Sequence, residues 1–369
     1  MKHIKTVIVG FGYRGKQLLR LLQTIGCFDV VGVADKHDNY INLIDGQHPQ
    51  LAFITTPWHL HVEQATECLK RHCNVALEIK GGLCDGEYDS LISLADQMRL
   101  KVYPLENTLF LREILAVKRM ADEGVLGDIV YIRGGYRHDL RDILLDDHGR
   151  LGGREGTESV WRSRFYTQRN GDIYPTHGLA PLCMILGVNR TDRLAYLTSF
   201  ASKSVGLRQR MSELRAGTDD SHNPAPQITL GDVVSTQIET DGGTLISLTH
   251  DTTLPRPRSL DFEVEGSRGI WDGVNRRIYV EGMNATETWE DDAAYIERYE
   301  SLYWQRWGAD ALLHDHHHNG MDYIMLRALE ADFLGDTEYP ATLRDLALWT
   351  SVSMLSEKSI REHRRIAFP

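Results

Sequence analysis

The 369-residue chain has no apolar run approaching the roughly twenty residues needed to cross a bilayer. Its first apolar segment, TVIVGFG, is too short for the apolar core of a secretory leader, so the chain reads as cytoplasmic. Positive charge is also scarce, with 41 Lys and Arg against 52 Asp and Glu and a formal charge of −11. That balance argues against a nucleic-acid or anionic-membrane surface and leaves a small neutral or cationic ligand. The five cysteines, Cys27, Cys68, Cys73, Cys84 and Cys183, form no C-x-x-C pair. An odd number without metal spacing speaks against a disulfide framework and a zinc finger, and reduced, mostly buried thiols are expected. Internal repeats and low-complexity stretches are missing as well.

Hydrophobic residues make up 42% of the chain, enough for well-packed cores. The length exceeds that at which one core usually stops growing, so two domains are expected, at 1–124 and 125–369, with the last helix returning to the first. The opening run HIKTVIV ends in Gly10-Phe11-Gly12-Tyr13-Arg14-Gly15 and is followed by the helical pattern KQLLRLLQTIG. Strand, glycine turn and helix in that order suit a dinucleotide. The first glycine permits the tight turn, the second lets backbone approach a pyrophosphate, and the third allows close helix-strand packing. A second strand, FDVVGVA, ends at Asp35, where a carboxylate can accept hydrogen bonds from ribose hydroxyls and repel a 2′-phosphate. NAD is therefore expected over NADP.

Further candidates fall where later strands end. LAFITT runs into Thr56, Pro57 and Trp58, with His61 opening the next helix, while only a turn around residues 39–44 is expected before it. Trp58 is placed either to pack on a nicotinamide or sugar face or to cap that helix. NVALEIK brings Glu78 and Lys80 to another strand end, as cofactor contacts or as a solvated ion pair, and LKVYPLEN ends at Asn107. Beyond residue 124 the pattern changes to strands joined by tight turns, which predicts an α+β domain with a large, open, mostly antiparallel sheet. Within it, Trp161 to Arg193 sets Tyr174 and His177 around a Pro-Thr pair ahead of an apolar helix. Such residues can move protons, or merely pack at a helix start. A polar loop over 139–158 reads as a surface excursion or lid. The run His314 to His318 is a weak metal signal, because adjacent loop side chains do not all converge on one ion; one histidine facing a ligand is the expectation, and no metal is.

The whole pattern resembles the Gfo/Idh/MocA oxidoreductases. RNGDIYPTHGLAP with VNRTDR, GGYRHDLRD, HDTTLPRPRS and TPWHLHV resemble the NAD-dependent glycosidases of glycoside hydrolase family 109 over nearly the whole chain. The resemblance implies a Rossmann doubly wound sheet, a substrate and oligomerisation domain, and a tightly held NAD. It implies hydrolysis of a hexosaminide or related hexoside by oxidation at C3, C1–C2 elimination, water addition and reduction at C3. By that likeness Tyr174 and His177 carry the protons, Glu78 lies near the nicotinamide, and Arg162, Arg164 and His318 touch the sugar. A homodimer or homotetramer is also implied. Phe110 stands where the family carries a tyrosine, and Ile79-Lys80 replaces its Val-Pro. Those departures keep two alternatives in view, an NAD-dependent sugar or polyol dehydrogenase and a non-catalytic sugar- or nucleotide-sensing protein.

Overall fold

A computed structural model describes residues 3–216 and 225–369. The chain forms two compact units, Met1–Leu115 with Glu300–Ser351 and Ala116–Tyr299 with Val352–Pro369. The expected division, 1–124 and 125–369 with the last helix returning to the first, puts Glu300–Ser351 in the second stretch, and that segment groups with the first unit.

In the first unit β1 (Ile4–Val9), β2 (Phe28–Ala34), β3 (Leu51–Ile54), β4 (Asn74–Leu77) and β5 (Val102–Pro104) pair in parallel in the order β2-β1-β3-β4-β5. Near-continuous apolar runs rather than alternation mark these strands, as a sheet covered on both faces requires, and every residue of β3 is buried. Helix α1 (Tyr13–Ile25) follows β1 and ends at Gly26, which adopts the left-handed conformation at φ +80°. Between β2 and β3 lies a full eight-residue helix, Tyr40–Gln47, where only a turn was expected. The Asn39 side chain accepts from Ile41 N and Asn42 N, and this cap supplies the start signal for so short a helix.

The second unit is built on a nine-stranded sheet of β6 (Ile129–Arg137), β7 (Leu194–Ala201), β8 (Val233–Thr240), β9 (Leu245–Asp251), β10 (Glu263–Gly266), β11 (Gly269–Asp272), β12 (Arg277–Val280), β13 (Glu290–Asp291) and β14 (Ile366–Ala367). Their order is β13-β12-β11-β10-β6-β9-β8-β7-β14. All neighbours are antiparallel except β6 and β9, so the expected mostly antiparallel sheet is what forms. The helix Thr176–Leu186 begins against the backbone of β6, glycine on glycine. A Cβ added at Gly178 would stand 2.6 Å from Gly135 N, and one at Gly134 would stand 2.7 Å from Gly178 O. The loop over 139–158 is pinned by Asp-Arg pairs, Asp139 to Arg141 and Asp146 to Arg150.

Candidate active site

The candidate cofactor residues of the first unit all lie just beyond the carboxyl ends of its parallel strands, the side on which open α/β sheets bind ligands. Gly10 adopts φ +95°, and a Cβ there would press on Thr56 N at 2.7 Å. A Cβ on Gly15 would collide with the Gly10 carbonyl, so that glycine sets the closeness of α1 to β1. At Gly12 an added Cβ would meet nothing within 4 Å. No side chain caps α1 and its first turn holds no acid, so its first N–H groups are not taken by a capping side chain. Phe11 N donates to Asp35 Oδ1 at 3.3 Å, which ties the exposed Asp35 carboxylate to the rim of the glycine turn. Tyr13 is exposed beside it. A dinucleotide fits these residues: an uncapped helix start for the pyrophosphate and an exposed acid for a ribose.

Arg14 turns away from the glycine rim. Its guanidinium donates from Nε to Glu78 at 2.6 Å and from Nη1 and Nη2 to Asp322 at 2.6 and 2.9 Å. Asp322 also accepts from Asn107 Nδ2 at 2.9 Å and from His318 Nδ1 at 2.6 Å. The buried Asp322 carboxyl is held far below the ordinary carboxylate range; burial opposes this, but the Arg14 charge and the bonds from His318 and Arg14 outweigh it. The bond from Nδ1 to Asp322 orients the His318 ring. Asp315, His318 and Asp322 bring their ligand atoms within 4.8 Å of one another, as a cation site would. The Arg14 guanidinium already supplies the positive charge there, and a metal ion would be repelled by it. Of the other histidines, His314 stacks on Tyr323 while His316 and His317 are exposed.

Three predicted residues face inward. Trp58 is 3% exposed, donates from Nε1 to Ile79 O at 3.1 Å, and lays its ring 5.4 Å from Lys80 Nζ. Lys80 itself is fully buried and donates to the carbonyls of Gly81 and Gly82, following a cis Ile79–Lys80 bond. His61 is fully buried, donates from Nε2 to Thr56 O at 2.8 Å, and burial pushes its pKa down to about 4. Thr56 Oγ1 donates to Gln64 at 2.6 Å, and Pro57 precedes the short helical turn that carries Trp58. Among the described residues His61 Nδ1 and Asn107 Oδ1 are buried with no hydrogen-bond partner, as polar atoms awaiting a ligand would be. Phe110 is fully buried, its ring 6.1 Å from that of Tyr303 and 5.6 Å from that of Tyr339. The position of the absent hydroxyl is thus an aromatic core position.

In the second unit Tyr174 and His177 come together at the start of the helix Thr176–Leu186, with ring centroids 4.9 Å apart and nearly perpendicular. Asp172 Oδ1 accepts from Tyr174 N at 3.0 Å and so fixes the turn. Arg162, 5% exposed, sets its guanidinium 5.0 Å above the Tyr174 ring and pairs with Glu158. Arg164 lies over Phe165 instead. Sequence reasoning missed two members. Tyr136 lies 4.6 Å from the Tyr174 ring and 5.4 Å from His177, and His138 lies 6.0 Å from Tyr136. The signal was in GGYRH: paired glycines admit the helix start to β6, and period-two alternation then turns residues 136 and 138 to the same face. The group can exchange protons at two adjacent carbons of a bound molecule, through a phenol and an imidazole held rigid by backbone packing.

The architecture defines a two-domain oxidoreductase fold. Solved structures share it across almost the full chain: an NAD binding oxidoreductase from Klebsiella pneumoniae (TM-score 0.72, 15% identity, 99% of this chain and 98% of that one) and an inositol dehydrogenase homolog complexed with NAD+ from Azotobacter vinelandii (TM-score 0.70, 16% identity, 100% and 98%). Sequence narrows the class. Residues 110–369 match the family model described as glycosyl hydrolase 109, C-terminal domain. A glycosyl hydrolase family 109 protein of Stenotrophomonas maltophilia is 31% identical over 86% of this chain and 71% of its own length. An alpha-N-acetylgalactosaminidase of Tannerella forsythia is 32% identical over 86% and 69%. The chain belongs to glycosyl hydrolase family 109.

Proposed function

We propose that the protein is an NAD-dependent glycosidase that hydrolyses a hexosaminide or related hexoside. Family membership carries the reading, and the juxtaposition of Tyr174, His177 and Tyr136 supports it: proton-transfer groups are gathered where an ordinary glycosidase needs two flanking carboxylates. When bound, NAD supplies a reversible oxidation at the sugar's C3 hydroxyl. The turn from Gly10 to Gly15 would hold the pyrophosphate and Asp35 a ribose, with Thr56, Pro57, His61, Glu78 and Asn107 at the remaining strand ends and the buried Trp58 and Lys80 packed beneath them. Tyr174 and His177 accept and return the protons at C3 and C2, and loss of the C2 proton expels the group on C1. His318, oriented by Asp322, and Arg162 and Arg164 bind sugar hydroxyls.

The five cysteines form no disulfide among the described residues and four of them are buried, which fits a cytoplasmic setting, and among the described residues no helix is long and apolar enough to cross a membrane. An open sheet favours a homodimer or homotetramer, readable by light scattering. The test of function is an aryl hexosaminide given to the protein as purified. Aglycone release without net NADH is expected. NADH accumulating in proportion to sugar consumed would point to the dehydrogenase reading, which Phe110, with no hydroxyl at its core position, keeps in view.

A further inference from the structure

The aromatic group of the second unit has a charged wall that the hexoside reading does not use. Arg137 and Ser259 exchange backbone hydrogen bonds at 3.1 and 2.8 Å, an antiparallel bridge that sets Arg258 opposite His138. The segment Pro255-Arg256-Pro257-Arg258 is stiffened by its two prolines and splits its arginines. Arg256 is half-buried and donates to Asp251 at 2.7 Å, whereas Arg258 is exposed and makes no ion pair or hydrogen bond among the described residues.

The other charges near His138 are matched. Arg141 donates twice to Asp139, and Arg162 pairs with Glu158. Arg258 is the charge left over. Burial first, then the charges of Arg258 and Arg162, push His138 below its ordinary value, so it is neutral at pH 7. Its Nδ1 is buried without a hydrogen-bond partner among the described residues. A chain with a net charge of −11 thus presents, among the described residues, an uncompensated guanidinium and an unsatisfied imidazole beside its proton-transfer residues. Local field rather than net charge governs what such a site accepts.

We propose that the sugar taken by this site carries an oxyanion, a carboxylate or a sulfate, bound between Arg258 and His138 with the buried Arg162 guanidinium nearby. The assignment rests on the hexoside reading and narrows it from a neutral to an acidic sugar. Guanidinium matches either oxyanion by paired N–H donors. The negative charge also favours a proton on His138, which then becomes a second charged donor.

The test is calorimetric binding of three sugars, a hexose, its hexuronic acid and its 6-sulfate, to the NAD-loaded protein. The wild type is compared with Arg258→Gln and Arg258→Lys. One of the acidic sugars is expected to bind roughly ten- to a hundredfold tighter than the hexose, the range of one or two charge-assisted hydrogen bonds. Arg258→Gln is expected to remove that preference while leaving hexose affinity in place, Arg258→Lys to keep part of it, and 0.5 M salt to shrink it. Whichever acid is preferred identifies the oxyanion. Equal binding of all three, or a preference that survives Arg258→Gln, overturns the proposal alone. Binding of none overturns the hexoside reading together with it.

Discussion

Replacing Gly178 by alanine puts the placement of His177 under direct test. The new methyl group would stand 2.6 Å from Gly135 N and 2.7 Å from its Cα, both backbone atoms of β6 that have no rotamer by which to escape. Ordinary contact begins near 3.4 Å, so the start of the helix must move off the sheet by roughly 0.8 Å, and His177, the residue before, moves with it. A misplacement near 1 Å costs on the order of a hundredfold in rate. Overpacking costs about 1–3 kcal/mol, which lowers Tm by roughly 2–4 °C per kcal/mol for a unit of this size. Steady-state kinetics on an aryl hexosaminide, with a melting curve at saturating NAD, reads both. The expected result is a kcat loss near two orders of magnitude with a Tm loss of several degrees. A Gly178→Ala protein with wild-type kcat and Tm would show that this contact does not position the histidine.

Three further outcomes follow from the first unit. Asp322→Asn removes one of the two carboxylates that Arg14 pairs with and leaves Glu78 as the other, so it should cost about 1.5–3 kcal/mol by urea unfolding, the worth of a hydrogen bond to a charged group. The folded carboxyl is depressed, so its stabilisation is present above the ordinary value of 3.8 and lost as pH falls below it; the wild type should lose this acid-side share and the variant should lack it. His61 is buried and neutral with a pKa of about 4, so the unfolded chain binds more protons between 6.5 and 4 and stability falls as pH drops through that window. The drop should reach about 3 kcal/mol and flatten in His61→Gln; an equal slope in both proteins would refute the assignment. Asp35→Ser should raise NADP affinity relative to NAD at least tenfold in a fluorescence titration, since it removes an acid from the ribose position.

Much of the fold was legible because the strands of the first unit are continuous apolar runs bounded by turns, and β2 coincides with the segment FDVVGVA. The residues 302–314 were not read as a helix, since LYWQRWGADALLH places aromatic and charged residues around its circumference and leaves leucines 302, 312 and 313 exposed. The strands β13 and β14 have two residues each, too short for any periodicity. At the site, the glycine turn and the Tyr174–His177 pair were visible as local strings. The ties of Arg14 to Asp322 and of Arg258 to His138 were not, because they join residues 308 and 120 positions apart and depend on packing alone. Arg14, read as a fingerprint residue facing the cofactor, spends its guanidinium on Glu78 and Asp322. Trp58 and Lys80, read at a strand end, are interior groups that satisfy one another's segment.

The most direct measurement is the isotopic content of the released sugar. Hydrolysis of an aryl hexosaminide in deuterated water, followed by mass and proton spectra of the product, reports whether the C2 proton left during turnover. One deuterium at C2 is expected in the released sugar, lost together with aglycone release when Tyr174 and His177 are both replaced. Aglycone released with C2 still carrying its original proton would contradict it.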